Sequence, residues 1–237
     1  MLIFKNIDLK SKGIITDSLP KVQKAKKRID IYDIHGRNGF LSVDNGTYDS
    51  WQLSIDCHCK DDADMDELVS LLDGYGTISF DGVKQSTAIV NSSIPFEIIK
   101  NSGFQRFLLE FLVNPIFEDI NATIKTITFT LEDTMYVYDW DITPNYRIYP
   151  EELEIEILTD TDFYFNNRKF SLKAGHYFLN SKMKEIVDDD GDNASNKMSG
   201  DFPYIDAPTE IKCSTQPTTF IVKYKNTYLV GWLNENI

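Results

Sequence analysis

RIDIYDIHGRNGFLSVDNGTYDSW, residues 28–51, carries two extended patterns on either side of a turn. Apolar residues alternate with polar ones up to Gly36–Gly39, where Asn-Gly favours a tight hairpin turn because both residues tolerate a positive φ. An extended pattern resumes at Phe40, Leu41 and Val43, and Asp44–Gly46 predicts a second turn. A third strand is expected from Tyr48 through Ile55. The segment therefore predicts a compact β-meander, in which aromatic residues fix the register of the strands.

A single helix is expected in the N-terminal half of the chain. Between Asp61 and Asp73 the apolar residues recur at helical spacing, and acidic residues occupy the first turn, where the helix dipole favours them. Gly74 is the predicted C-cap. Phe104–Val113 is a strongly apolar run that predicts a long buried strand, although its periodicity also fits a helix.

The C-terminal half is almost entirely strand-forming from Thr123 onward. LEIEIL at Leu153–Leu158 alternates with a period of two, and turn residues separate many short strands of this kind, which is typical of a β-sandwich or jelly roll. The expected fold class is mainly β with one α-helix in the N-terminal half, and two β domains at 1–118 and 119–237. The sequence contains no run of 18 apolar residues, so no membrane span is predicted and no membrane association is expected.

The net charge of −13 is unevenly spread along the chain. Residues 1–37 hold nine Lys and Arg against four Asp and Glu, and the remainder holds 15 against 33. The basic run KVQKAKKR at Lys21–Arg28 has two interpretations: a solvated loop, or a loop that docks on an acidic neighbour such as another copy of the chain. Nucleic-acid binding is disfavoured, because DNA-binding domains are usually basic overall.

The chemistry-bearing residues form no recognisable catalytic or metal motif. Cys57 and Cys59 are two apart on a predicted strand, which does not match metal or redox spacing, and with Cys213 they are expected to be buried free thiols. No nucleophile elbow, phosphate loop, dinucleotide fingerprint or zinc motif is present, so no enzyme activity, cofactor or metal is expected. Asp188–Asp192 fails the EF-hand spacing, which leaves calcium in another geometry or a solvated loop.

Three groups of residues follow one another along the chain. The first is a basic, proline-bearing loop followed by Ile29, Ile31, Gly36–Gly39, Leu41, Gly46 and Tyr48. The second is the predicted helix closed by Gly74 and followed by Gly76, Ile78 and Phe80 in a G-x-I-x-F strand. The third is FSLKAGHYFL at 170–179, leading through a polar insert to GDFPY at 200–204. In this order, the three groups resemble the distal tail protein (Dit) family of long-tailed, non-contractile phages. Tyr204 departs from the family, which often has an aliphatic residue there.

The resemblance implies a specific architecture and place of action. Family members have an N-terminal belt domain that assembles six copies into a ring, and a galectin-like C-terminal β-sandwich outside the ring. A virion protein at the distal end of the tail is implied, made in the host cytoplasm and joining the tail tube to the baseplate or adsorption apparatus. Its implied partners are itself, the tail tube protein, the tail-associated hub or lysin protein and the receptor-binding proteins. DNA would pass through the channel without specific binding.

The basic run is the candidate subunit interface under this resemblance. The hypothesis is that this loop and Arg37 contact acidic surface on the next subunit or the next ring, so that charge reversal across its lysines weakens assembly. A second hypothesis is that the acidic excess of the chain lines a channel that repels DNA. The candidate interface residues are Lys24, Lys26, Lys27, Arg28 and Arg37.

The main alternative is a carbohydrate-binding, lectin-like module that takes part in host adsorption. A galectin-like sandwich would hold sugar on exposed aromatic residues, and the candidates are Trp140, Tyr146 and Tyr149. Against this, the same residues would serve equally well as core or interface, and a fold does not carry its function with it. A peptidase or lysin acting at the cell wall is a third possibility, for which the sequence offers no site.

Overall fold

The computed structural model describes residues 1–17, 24–36, 38–60, 65–90, 93–99, 103–142, 144 and 146–229. The chain divides into two compact units by the density of its internal contacts. The first comprises Met1–Glu118 together with Leu229, and the second comprises Asp119–Tyr228. Both units are built mainly of strands, which confirms the predicted fold class. Within the described residues, no helix has the length and apolar character needed to cross a bilayer.

The first unit contains one large antiparallel sheet, a separate hairpin and the α-helix α1. The large sheet has the strand order β2-β1-β7-β8-β10-β6-β3, with β9 also paired to β10 and β11 to β8. A short 3-10 turn at Leu9–Lys12 follows β2. The elements are β1 (Ile3–Phe4), β2 (Ile7–Asp8), β3 (Ile15–Thr16), β4 (Lys27–Asp33), β5 (Phe40–Tyr48), β6 (Trp51–Lys60), α1 (Met65–Leu72), β7 (Gly74–Ser79), β8 (Lys84–Val90), β9 (Glu97–Ile99), β10 (Phe104–Val113) and β11 (Phe117–Asp119).

Two predictions for this unit are confirmed and one is wrong. The helix α1 lies in the predicted segment, and β10 is a long strand that pairs along its whole length with β6. The meander does not form, because β4 and β5 pair only with each other among the described strands, whereas β6 belongs to the large sheet. The hairpin that includes Arg28–Tyr48 is therefore a two-stranded arm, here called the arm and defined as β4, β5 and their connection.

The second predicted turn is a bulge within β5. Lys27 pairs with Tyr48 but Ile29 pairs with Asp44, so β5 carries two more residues than β4 in this interval. Gly46 has a φ of +66°, and its N–H donates to the Asp44 carboxylate at 2.9 Å. The same Asn-Gly conformational freedom that permits a turn also permits a bulge, which bends the strand without ending it.

The core of the first unit lies on one face of the large sheet. Alternate residues of β6 are buried, and they include Cys57 and Cys59 as predicted, with no exposed surface. Phe4 and Phe111 meet edge to face with ring centroids 5.2 Å apart, and α1 contributes buried leucines to the same unit. Burial raises the pKa of the Cys57 thiol to about 12 and that of Cys213 in the second unit also to about 12.

Both thiols are therefore expected to stay protonated and unreactive while the protein is folded. The thiolate is the nucleophile, and a pKa near 12 leaves only about one thiol in ten thousand ionised at pH 8. Alkylation by iodoacetamide at pH 8 should be negligible without denaturant and complete in 6 M guanidinium. Modification of Cys57 or Cys213 in the native protein at the rate of a free thiol would contradict this.

The second unit is a β-sandwich of two antiparallel sheets. One sheet has the strand order β12-β22-β15-β18-β19, and the other has the order β13-β14-β21-β16-β17-β20. The strands are β12 (Thr123–Thr126), β13 (Thr130–Glu132), β14 (Met135–Trp140), β15 (Glu152–Ile157), β16 (Thr161–Phe165), β17 (Arg168–Leu172), β18 (Gly175–Asn180), β19 (Glu185–Asp188), β20 (Met198–Gly200), β21 (Thr209–Cys213), β22 (Thr219–Tyr224) and β23 (Thr227–Tyr228).

A single apolar cluster fills the space between the two sheets. It combines inward residues of one sheet, such as Leu153 and Ile155, with phenylalanines of the other. Phe163 stacks on Phe170 at 5.0 Å and reaches Phe220 of the opposite sheet at 5.7 Å. The alternation predicted from LEIEIL is confirmed, because the aliphatic residues of β15 are buried and its glutamates face outward. Burial of such large side chains is the main source of stability for this unit.

Gly200 is a position where a side chain is not accommodated. Its φ is +99°, and a Cβ would lie 2.5 Å from the Lys169 carbonyl oxygen and 2.9 Å from the Phe170 Cα. Both neighbours are backbone atoms of the paired strand β17, so they cannot move without breaking the sheet. This close approach explains the glycine at the start of the GDFPY segment.

Gly200→Ala is accordingly expected to destabilise the protein by more than about 2 kcal/mol, because a steric clash adds to backbone strain worth about 1–3 kcal/mol. Gly191→Ala is the matched control, since Gly191 also has a positive φ but has nothing within 4 Å of the added Cβ. Urea unfolding of the two variants measures the difference. Equal loss of stability in both would show that the clash at Gly200 contributes nothing.

Candidate functional site

The arm exposes apolar side chains on both of its faces. Because directly paired residues of antiparallel strands share a face, Ile29, Ile31 and Phe40 lie on one side. Their exposed fractions are 47%, 64% and 61%. Such large apolar side chains are rarely left in water together, and a contiguous exposed patch usually marks an interaction surface. The opposite face carries Tyr32, Leu41 and Val43, each more than 40% exposed.

The root of the arm, where Lys27 pairs with Tyr48, is held by polar contacts. Such contacts matter because an isolated two-stranded hairpin is only marginally stable in water. The Lys27 ammonium pairs with the Asp44 carboxylate, and the Arg28 guanidinium donates from Nε to Asp49 Oδ1 at 2.6 Å. The hydrogen bond to Asp44 raises the pKa of Lys27, and the bond from Lys27 lowers that of Asp44. These contacts fix the bulge and the register of the two strands.

The structure separates the five predicted interface residues into three groups. Lys27 pairs with Asp44 inside the arm and Arg28 pairs with Asp49 directly after it, so part of their charge is already neutralised. Lys24 and Lys26 are exposed, and they form no ion pair with the described residues. Arg37 lies outside the described residues. The sequence pattern predicts the charges of this region as an interface and does not identify the apolar residues between them as a surface.

The predicted ligand-facing aromatics are corrected at Trp140. This side chain is 2% exposed and packs edge to face against Tyr224 at 5.1 Å, so it is a core residue with no face available to a sugar. Tyr146 is half-buried, and its carbonyl oxygen accepts from the Thr227 hydroxyl at 2.6 Å. Tyr149 is 36% exposed, and its ring centroid lies 5.5 Å from that of Tyr204.

The acidic loop, Asp188–Asp192, is a hydrogen-bonded turn. One oxygen of Asp188 accepts from the backbone N–H groups of Asp190 and Asp192, and Asp189 contacts His176 Nδ1 at 2.5 Å. His176 Nε2 faces Glu154 at 3.2 Å, so this imidazole bridges the turn and the outer face of β15. Among the described residues, no group of three or more His, Cys, Asp or Glu side chains is arranged to hold a metal ion.

Comparison with known proteins identifies the fold of the chain through solved structures. No family model matches the chain, and no curated protein matches it. Among solved structures, the SPP1 Dit protein matches with a TM-score of 0.69 over 96% of this chain and 98% of that one, at 12% identity. The chain has the Dit fold. That structure is described as a paradigm of the hub adsorption apparatus of phages infecting Gram-positive bacteria.

A second solved structure extends the comparison. A chain of the phage P2 baseplate, in its activated conformation with calcium, matches with a TM-score of 0.50 at 10% identity. The match covers 93% of this chain and 92% of that one. In both comparisons the likeness spans nearly the whole of each chain, so both units are included.

Proposed function

We propose that this protein is a structural component of a phage or prophage tail tip. In this role it is a distal tail protein whose copies form a six-membered hub ring between the tail tube and the baseplate. The Dit fold over nearly the whole chain supports the general role. The arm is the observation that supports the assembly step, because the described residues of the chain leave large apolar side chains exposed on both of its faces.

The arm favours a ring over a two-fold dimer as the mode of self-assembly. A dimer would cover one face of the arm by self-complementary contact, whereas apolar residues lie on both faces. In a head-to-tail arrangement the arm of each copy lies on the next, and a closed rotation gives a ring with a central channel. The second face of the arm then meets the adjacent tube or hub protein, which makes these proteins the expected partners.

The proposed role is structural and requires no catalytic site or cofactor. The ring places DNA in a channel, and the acidic excess of the chain, −13 overall, keeps the DNA from adhering to the walls. Receptor-binding and tail-associated proteins attach around the ring. The proposed location is therefore the virion, at the distal end of the tail.

The mass of the purified protein in solution tests the proposed ring. Light scattering is expected to give six times the mass of the 27.3 kDa chain, with negative-stain images of the same fraction showing a central hole. Since a ring can require a neighbour to close, the measurement is repeated with the tail tube protein of the same genome. Monomers under both conditions, or a closed two-fold dimer, would refute the ring.

Charge reversal at the root of the arm is expected to weaken assembly moderately. Lys24→Glu with Lys26→Glu changes charges that have no ion pair among the described residues, and each exposed charge contact contributes up to about 1 kcal/mol. Sedimentation at two salt concentrations should show a loss of roughly tenfold at low salt that shrinks at high salt. Lys173→Glu with Lys184→Glu, in the second unit, is the control. Unchanged assembly of the root variant would remove these lysines from the interface.

A further inference from the structure

A cluster of arginine and tyrosine side chains lies on the surface of the second unit. The Arg168 guanidinium carbon is 3.7 Å from the centroid of the Tyr204 ring, and that of Arg147 is 4.9 Å from the same centroid. The Tyr149 ring stands 5.5 Å from that of Tyr204 with a 38° tilt. Together with Asp206, these residues form what is here called the arginine–tyrosine cluster.

The backbone beneath the cluster is held rigidly. Ile148 and Ile205 exchange two backbone hydrogen bonds of 2.8 and 2.9 Å, and both side chains are fully buried. This bridge places Arg147 and Tyr149 beside Tyr204 and Asp206, although the two segments are far apart in sequence. The cluster is therefore preorganised, and a ligand would lose little free energy in ordering it.

The charges of the cluster are unbalanced. Asp206 accepts from Arg168 at 2.8 Å, and the Tyr204 carbonyl oxygen lies 3.4 Å from the same guanidinium. Arg147 is exposed and has no carboxylate partner among the described residues. A hydrogen bond with Tyr149 raises the pKa of Arg147, and its guanidinium, like that of any arginine, is charged at neutral pH. Two guanidiniums against one ring repel each other, and an anion beside them would relieve that repulsion.

We propose that the arginine–tyrosine cluster binds an anionic glycopolymer, that is, a chain of sugars or polyols carrying phosphate or carboxylate groups. The guanidiniums of Arg147 and Arg168 present planar N–H donors that suit both kinds of anion. The exposed ring of Tyr149 offers an apolar face to the C–H groups of a sugar or polyol. The site is independent of the proposed ring, since all of its residues belong to one unit of one chain.

The surroundings favour a glycopolymer over an acidic protein segment. Stable protein interfaces surround aromatic and arginine anchors with an apolar core of several hundred Å². The large exposed aliphatic residues of the second unit are Ile124, Leu131, Leu158 and Met183, and none of them lies in the segments that form the cluster. The cluster is a small cationic spot on a chain of strongly negative net charge, and it suits repeated weak contact with a polyanion.

Calorimetric titration of the full-length protein at about 50 mM salt tests the proposal. The probes are a glucosylated glycerol-phosphate polymer, polygalacturonate, neutral dextran and poly-glutamate. Binding of either or both anionic glycopolymers, without binding of dextran, is expected, and the two probes distinguish phosphate from carboxylate. Arg147→Gln should weaken that binding by at least about tenfold, because one charge-assisted contact is worth about 1.5–3 kcal/mol.

Matched variants distinguish loss of the binding site from loss of folding and from a general change of charge. Tyr149→Ala, at a 36% exposed position, removes the stacking face and should also weaken binding. Lys173→Gln makes the same charge change at an exposed residue just beyond the opposite end of β17 from Arg168, and binding should be retained. The proposal is overturned if neither glycopolymer binds, if Arg147→Gln binds as well as wild type, or if dextran binds equally. Tighter binding of poly-glutamate would assign the cluster to an acidic protein partner instead.

Discussion

A chain carrying Ile31→Asp and Phe40→Asp is expected to lose self-assembly by at least roughly 100-fold. The two side chains share a face of the arm and are among its most exposed apolar groups, at 64% and 61%. Full burial of each contributes about 1.5–3 kcal/mol, and 1.4 kcal/mol corresponds to a factor of ten in affinity. Placing a carboxylate in the same contact adds a desolvation cost. Sedimentation velocity across a concentration series measures the shift.

The fold of the double variant is expected to remain intact, because neither side chain belongs to the buried core of the first unit. Circular dichroism and urea unfolding should therefore match the wild type. Ile124→Asp is the control, since Ile124 is 68% exposed and lies on β12 of the second unit. Wild-type assembly of the double variant, or equal loss in the control, would show that the arm is not the assembly surface.

Trp140→Ala is expected to destabilise the protein by about 3–5 kcal/mol, the usual range for a large aromatic removed from a core. Trp140 is 2% exposed, packs edge to face on Tyr224, and has the Lys125 ammonium 5.4 Å from its ring centroid. Removing the ring leaves a cavity between the two sheets and deprives these neighbours of their contacts. Urea unfolding followed by circular dichroism of the backbone measures the change, because this signal includes the strands of the second unit.

Tyr149→Ala is the matched aromatic control and is expected to cost less than about 1 kcal/mol, because the ring is 36% exposed. The comparison separates stability from ligand binding. A loss of glycan binding in Trp140→Ala would reflect loss of structure in the second unit. A stability of Trp140→Ala within 1 kcal/mol of the wild type would contradict the burial of this side chain.

The buried face of a strand was predictable from the sequence where the two sides of the strand differ in polarity. It was not predictable where the two sides are similar. The alternation in β6 and β15 identified the buried face of each strand correctly, because water covers one side and the core covers the other. The arm carries exposed apolar residues on both faces, so its pattern does not show which face is covered. A local sequence pattern also cannot distinguish a face that another molecule covers from a face that the same chain covers. The meander was predicted for this reason.

Trp140 and the arginine–tyrosine cluster show two further limits. In β14 both Val137 and Trp140 are buried although they are three residues apart, so simple alternation does not place the ring. Arg147 and Tyr204 are brought together by the bridge between Ile148 and Ile205. Such a contact depends on the path of the whole sandwich. No local pattern in either segment encodes it.

The arm also affects the solubility of the chain before it assembles. Among the described strands, β4 and β5 pair only with each other, and they expose large apolar side chains, a combination that promotes edge-to-edge aggregation. The net charge of −13 opposes this by mutual repulsion between free chains. Solubility of the unassembled protein should then depend on ionic strength, and salt that screens the repulsion should favour both correct assembly and precipitation. The negative net charge of the chain thus opposes the aggregation that the exposed apolar residues of its arm would promote.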